Sequence, residues 1–384
     1  MAIEEKLFKS LDLLRSTNEY SGDVSQRNKE KIQSCAYVTD TLTNPTTRTL
    51  PNFHHLLTNS FEILFQMCND IESDVRLVAE ESLNKIIKAM DNENTNKVLM
   101  ELHKEIKRNG PARSLKSALW RFSILAGLIR LPKRKQYLIS LIPCIVSISE
   151  RSEDLTHEAL MNSLPKILKS LGSFLSDSDV KTLLNTFLNN VGDASTVIRR
   201  ASANCLLTIC INCRKPYQFL SYLLDTLLEL LMPIAGTMVS VFLVVGVLSC
   251  LRLLIPHIRK IEGRQEIQGS FGITKKTKAI QVGEEKFVQV YRLCVHFLLC
   301  DDDSVMSAAL DTLSSLFQNC TREFKNLLLS GDGIEAGDGR CYFPTQLYNA
   351  NVTLAVSKPT LPEESRKQND RAIFSSLPDG SAAE

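Results

Sequence analysis

"DIESDVRLVAEESLNKIIKAM", residues 70–90, opens on acidic and hydroxyl residues and then places Val75, Ala79, Leu83 and Ile86 at offsets 0, 4, 8 and 11. At about 100° per residue these four fall in one narrow stripe, the mark of an amphipathic helix whose apolar side must be covered from outside. The same offsets return forty residues later as Leu115, Leu119, Ser123 and Ala126, and 41 after that as Thr156, Leu160, Leu164 and Ile167. Ile198, Ser202, Leu206 and Ile209 follow at 42, then Ser240, Val244, Leu248 and Leu251 at another 42, where the anchor is weak. Val305, Ala309, Leu313 and Leu316 come 65 later; the excess of 23 matches the segment from Ile261 to Gly283, which reads as a loop insertion.

A second helical segment stands upstream of each stripe, for example "HHLLTNSFEILFQMC" and "DVKTLLNTFLNNV". Short polar turns join the two, among them Asn69 to Ser73, Asn109 to Pro111, Gly192 to Ser195 and Asp301 to Ser304, whose side chains suit free amides at a helix start. Helix pairs on a 40–42 residue period, with no strand-forming run, predict an all-α HEAT-type solenoid of about six helical hairpins over residues 28–329. The residue after the anchor is Arg76, Lys116, His157 and Arg199 in four successive units, placed either to meet an acid of a neighbouring repeat or to stay in solvent.

The 384 residues carry 45 Lys and Arg against 43 Asp and Glu, so no global charge directs the chain to a polyanion. Eleven cysteines spread from Cys35 to Cys341 lack the density of a secreted disulfide scaffold and point to a reducing compartment, cytoplasmic or nuclear. Residues 230–251, "LLMPIAGTMVSVFLVVGVLSCL", are uncharged and long enough to span a bilayer, yet Pro233 and Gly236 favour a turn between two buried helices. No GxSxG, HExxH or Walker sequence is present, and no enzyme activity, cofactor or metal is expected. "CINC", Cys210 to Cys213, stands alone at the end of a stripe helix and reads as buried hydrophobes; "GDGIEAGDG", residues 331–339, carries acids where phosphates would be repelled.

Three segments are candidates for function. Residues 1–16 place Ile3, Leu7, Phe8, Leu11 and Leu14 on one side of a short helix, marginal alone in water and suited to a membrane, a partner or the solenoid itself. A linker, 17–27, follows. Between His103 and Lys135 ten basic residues, including Lys104, Lys107, Arg108, Arg113, Lys133, Arg134 and Lys135, face Glu105 alone; this is an anion-binding face for nucleic acid or acidic lipid, or an internally paired one with Trp120 in the core. Residues 330–384 lose the period and gather Gly, Pro, Ser and acids, as a disordered tail does.

"ESDVRLVAEESLNKIIKAM", "KEIKRNGPARSLKSALWRFSILAGLIR", the inserted "GSFGITKK" and the opening "MAIEEKLFKSLDLLRS" together resemble the amino-terminal HEAT region of the huntingtin family, in collinear order over residues 1 to about 329. The resemblance implies an interaction scaffold with roles in vesicle and microtubule-linked transport, autophagy and transcription. Its implied partners are huntingtin-associated proteins and transport adaptors, not nucleic acid. It further implies a cytoplasmic chain with nuclear shuttling and peripheral vesicle association, the first segment acting as a reversible membrane and export element. Ser16 matches a phosphorylatable family position, while Ile3 and Leu13 replace hydroxyl residues. After Arg15 no glutamine or proline tract follows, so the family's aggregation chemistry is not implied.

Phe324, Leu327, Leu328 and Leu329 begin a further repeat without its second helix, and solenoids need a polar cap. The chain should therefore self-associate through that end or open from it. Sedimentation with hydrogen exchange checks this: a monomer evenly protected through residues 290–329 contradicts it.

Overall fold

The computed structural model describes residues 2–16, 24–231, 239–268, 276–322 and 324–325, with side chains given for all but 2–3 and 259–285 of these. The tail, 330–384, most of the linker and Leu327 to Leu329 lie outside the described residues. No β-strand occurs among those described.

The chain starts with α1 (Ala2–Ser16), α2 (Val24–Thr43) and the single turn α3 (Pro45–Arg48). Six hairpins follow. They are α4 (Phe53–Met67) with α5 (Ser73–Ala89), α6 (Asn92–Arg108) with α7 (Ala112–Leu125), and α8 (Leu131–Ser149) with α9 (Asp154–Leu171). The others pair α10 (Asp177–Leu188) with α11 (Thr196–Asn212), α12 (Pro216–Leu230) with α13 (Val241–Gln268), and α14 (Lys276–Phe297) with α15 (Asp303–Asn319). First helices stack on first helices from α4 to α10, and second helices on second helices from α7 to α15. This is the stacking by which a repeat that cannot cover its own apolar side is covered by the next.

Every residue of the six predicted stripes is buried except Ser240, which precedes α13 and is exposed. Polar turns cap the helices as their chemistry dictates. Ser195 Oγ accepts from the amides of Val197 and Ile198, and Asp302 Oδ1 from those of Ser304 and Val305. Ser176 and Asp179 form a reciprocal capping box at α10.

A seventh hairpin precedes the six. α2 begins at Val24, ahead of the expected boundary at Asn28, and buries Cys35 and Thr39, the first two stripe positions one period upstream of Val75, together with Leu42. α1 is its first helix, packed on α2 and on α4. The stretch 261–283 is also not wholly loop: α13 runs to Gln268 and α14 starts at Lys276. Its Lys, Arg, Glu and Gln residues are good helix formers, and of its four glycines only Gly263 and Gly283 fall within the two helices.

The uncharged segment 230–251 divides as its Pro and Gly imply, α12 ending at Leu230 and α13 starting at Val241. Val241–Ile258 is long and apolar enough to cross a bilayer, but 56% of it is buried inside the protein, against α11, α12 and α15. The approach is closest at Gly246, where a Cβ would lie 1.8 Å from the Val191 carbonyl oxygen of the preceding turn. Alanine normally stabilises a helix over glycine by about 1 kcal/mol. Here Gly246→Ala must push α13 away from backbone, so a net loss of roughly 1–3 kcal/mol is expected, read as a lower melting temperature by circular dichroism.

Candidate interaction surfaces

The turns between paired helices carry carbonyls that helix ends leave unpaired, and these need donors. The repeated basic position supplies them. Arg76 Nη1 donates to the carbonyls of Asp70 and Ile71 at 2.9 and 2.6 Å, and Arg199 Nη1 to those of Asp193 and Ala194 at 2.6 and 2.8 Å. His157 Nε2 reaches the Arg151 carbonyl at 2.6 Å, and Lys116 is exposed. Of the two readings of this position, an acid of a neighbouring repeat or solvent, these three residues follow neither; they bond turn carbonyls five or six residues back, which lie nearer.

Acids and amides join the repeats elsewhere. Arg151 Nη1 donates to the Asn109 and Gly110 carbonyls, 42 and 41 residues upstream. Across separations of 41, Asn190 Nδ2 donates to Ser149 O, Ser195 Oγ to Asp154 and Arg214 Nε to Ser173 O, each within 2.6–2.7 Å. Lys31 and Asp70, 39 apart, form an ion pair of 2.6 Å whose side chains are 3% and 6% exposed. Asp70 also accepts from the Glu72 amide, and burial together with the Asp70 charge pushes the nearby Cys35 thiol up to about 12. No periodicity flagged Lys31, a cation inside an otherwise polar-looking helix.

The amino-terminal helix is docked. Leu7, Leu11 and Leu14 are at most 1% exposed, and Phe8 is half-buried with its ring 6.0 Å from that of His55 on α4. The side chain of Ile3 lies outside the described residues. Of the surfaces open to this apolar face, the solenoid itself holds it here. Ser16 is exposed at the end of the helix, its Oγ donating to the Leu13 carbonyl.

The basic region divides into two sets. Arg108 bonds Glu62 at 2.8 Å, Lys104 stands 3.8 Å from Glu101, and Arg134 donates to the carbonyls of Ile129 and Gly127. Arg121 is 3% exposed and bonds Glu80 on α5 at 2.6 Å. Burial, reinforced by the Lys107 charge, pushes the His103 pKa down, so His103 adds nothing to the positive surface at neutral pH. Lys107, Arg113, Lys133 and Lys135 are exposed. The sequence placed Trp120 in the core, but it is 43% exposed, with Lys166 Nζ 3.8 Å from its ring centroid. Sequence missed this because a lone aromatic has no period of its own.

Ten of the eleven cysteines are described, and eight of them are buried free thiols. Within "CINC", Cys210 donates to the Phe219 carbonyl and Cys213 to that of Cys210; burial raises both thiols. A shallow recess of about 220 Å³, open to solvent, lies between α4 and α6, lined by Phe61, Glu62, Glu101, Lys104 and Arg108 among others.

Comparison with known proteins adds kinship to this geometry. The model of the family "Huntingtin, N-terminal HEAT 1" matches residues 64–215. Huntingtin of Takifugu rubripes is 36% identical over 348 residues, which are 87% of this chain and 11% of that protein. The HD protein homolog of Dictyostelium discoideum is 32% identical over 101 residues, 26% of this chain and 3% of that one. Among solved structures, Kap121p bound to Nup53p covers 95% of this chain and 44% of its own at 14% identity, with a TM-score of 0.44. The chain thus spans about a tenth or less of its curated relatives.

Removing one member of a buried ion pair leaves the other uncompensated. Lys31→Met is expected to destabilise the amino-terminal hairpins by about 3–5 kcal/mol, and Lys31→Met with Asp70→Leu to recover most of it. Hydrogen exchange along α2 and α5 measures both.

Proposed function

Since the chain carries an amino-terminal HEAT region of the huntingtin family, we propose that it is a protein–protein interaction scaffold. The observation that carries this reading is the stack itself: seven hairpins share one continuous buried seam, and each leaves its outer helix faces in solvent. Such arrays offer long, shallow surfaces to other proteins. The recess between α4 and α6 encloses only about 10 Å³, far below the roughly 300–1,000 Å³ of small-molecule sites. Helical-repeat solenoids of this kind are not enzymes, and no catalytic role is proposed.

Roles in vesicle and microtubule-linked transport, autophagy and transcription, through huntingtin-associated proteins and transport adaptors, extend the reading by kinship. So does a cytoplasmic location with nuclear shuttling, with which the buried free thiols accord. Reversible membrane contact through α1 is part of the proposal on one condition: Leu7, Leu11 and Leu14 must leave α2 and α4 before they can meet lipid.

The alternative, binding of nucleic acid or acidic lipid through residues 103–135, is weakened by the internal bonds of Lys104, Arg108 and Arg134, yet six further cations, Lys107, Arg113, Lys116, Arg130, Lys133 and Lys135, are exposed. Salt separates the two. Partner capture from lysate, compared between the whole chain and one lacking residues 1–16, should persist as salt is raised from about 50 to 200 mM, whereas phosphate-driven binding falls by orders of magnitude over that range. Loss of all capture in that titration rejects the scaffold.

A further inference from the structure

The outward side of α7 holds an exposed apolar ridge that nothing in the stack explains. Lys116, Trp120 and Ile124 follow one another at intervals of four, the spacing of a single helix ridge, and Leu128 stands just beyond the helix in the 3-10 turn Ala126–Leu128. Relative to the buried anchor Leu115 they point away from the core. Trp120, Ile124 and Leu128 are 43%, 55% and 59% exposed, although a polar side chain at any of these positions would cost the fold nothing evident. One period on, the same register of α9 holds buried His157, half-buried Met161 and exposed Pro165, and on α5 it holds Arg76, Glu80 and Asn84, so neither neighbour presents two large exposed apolar side chains there as α7 does.

The rim is cationic. Lys116 stands at one end and Arg130 at the other, both exposed, and Lys166 of the next repeat lies over the Trp120 ring. α7 has no acid in its sequence, and Glu105, the sole acid of residues 103–135, is buried. An apolar ridge edged by cations is complementary to a helix with an apolar stripe edged by carboxylates.

We propose that this ridge is a docking surface for an acidic amphipathic helix of a partner protein. The inference rests on the scaffold reading and deepens it by naming a surface and the chemistry it selects. The partner's leucines seat in the grooves beside Trp120 and Ile124, and its carboxylates meet Lys116, Lys166 and Arg130. A membrane is the lesser fit. Three half-exposed side chains bury too little apolar area for stable anchoring, and Lys166 already covers one ring face that a bilayer would need to desolvate.

Trp120 is the single tryptophan of the chain, so its fluorescence reports this surface alone. The probe is a synthetic amphipathic helix of roughly 20 residues, leucines at i, i+3, i+4 and i+7, glutamates on both flanks. Its twin carries lysines instead, and phosphatidylcholine vesicles containing phosphatidylserine form a third arm. The acidic peptide should shift Trp120 emission to the blue, saturably, while the lysine twin does not. Ile124→Asp and Lys166→Glu should each weaken that binding about tenfold or more, with melting temperature unchanged because both side chains are exposed. The proposal is overturned by absence of a saturable shift, by equal binding of the twin, by unchanged affinity in both variants, or by vesicles moving the emission where the acidic peptide does not. If lysate partners still bind Ile124→Asp fully, this surface fails while the scaffold reading stands.

Discussion

Each second helix of a hairpin packs its apolar side on the second helix of a neighbouring hairpin as well as on its own first helix, and the rest of the structure follows from that stacking. Val75, Leu164, Leu206 and Leu313 are buried in helices that pack on a neighbouring hairpin as well as on their own first helix. Fully burying one such side chain is worth about 1.5–3 kcal/mol, so a hairpin removed from the array exposes several of these contributions at once. Stability therefore resides in interfaces between repeats, and a weak interface weakens everything beyond it. Small residues in the stripe, Ala79, Ser123, Ser202 and Ala309, together with Gly246, allow the helices to approach closely.

The turns between paired helices stay partly open to solvent, and turns are where backbone carbonyls lack partners. Arg76 and Arg199 meet that need within a repeat, with nearly the same geometry 123 residues apart in sequence. Arg151 meets it between repeats. A basic residue recurring beside an apolar stripe thus has a structural task, and so do Arg108, Arg121 and Arg134 inside the basic region. Charge counted along a sequence overstates charge available to a partner, since guanidinium groups are well suited to bonding carbonyls and carboxylates from within.

The solenoid was legible because its signal is redundant: six stripes at a common period leave little freedom, and Ser240, the weakest anchor, is the one position that is exposed. The first hairpin was not, because Cys35 and Thr39 are followed by Thr43 rather than by the large apolar residue that fills the third stripe position in most other repeats. Amphipathicity showed that α1 needs a surface but is silent on which one, as burial of an apolar face does not depend on who supplies the other side. Trp120 was misplaced for the opposite reason. Aromatic residues are buried often enough that exposure has no sequence mark, and only its register, opposite Leu115, reveals the ridge to which it belongs.

The two apolar faces that remain differ in how they meet a partner. α1 is tethered to its docking site by the short segment 17–23, so the solenoid competes for its leucines at an effective concentration in the millimolar range. Any membrane or protein that takes α1 must first overcome that competition, and it uncovers apolar surface on α2 and α4 by doing so. The α7 ridge meets no such rival within the described residues. Its engagement depends only on the affinity of what arrives, while engagement of α1 also opens the first repeat. A partner of the ridge thus binds without loosening the stack, whereas a partner of α1 exposes the amino-terminal end of the seam, and the two are thermodynamically distinct inputs to one array.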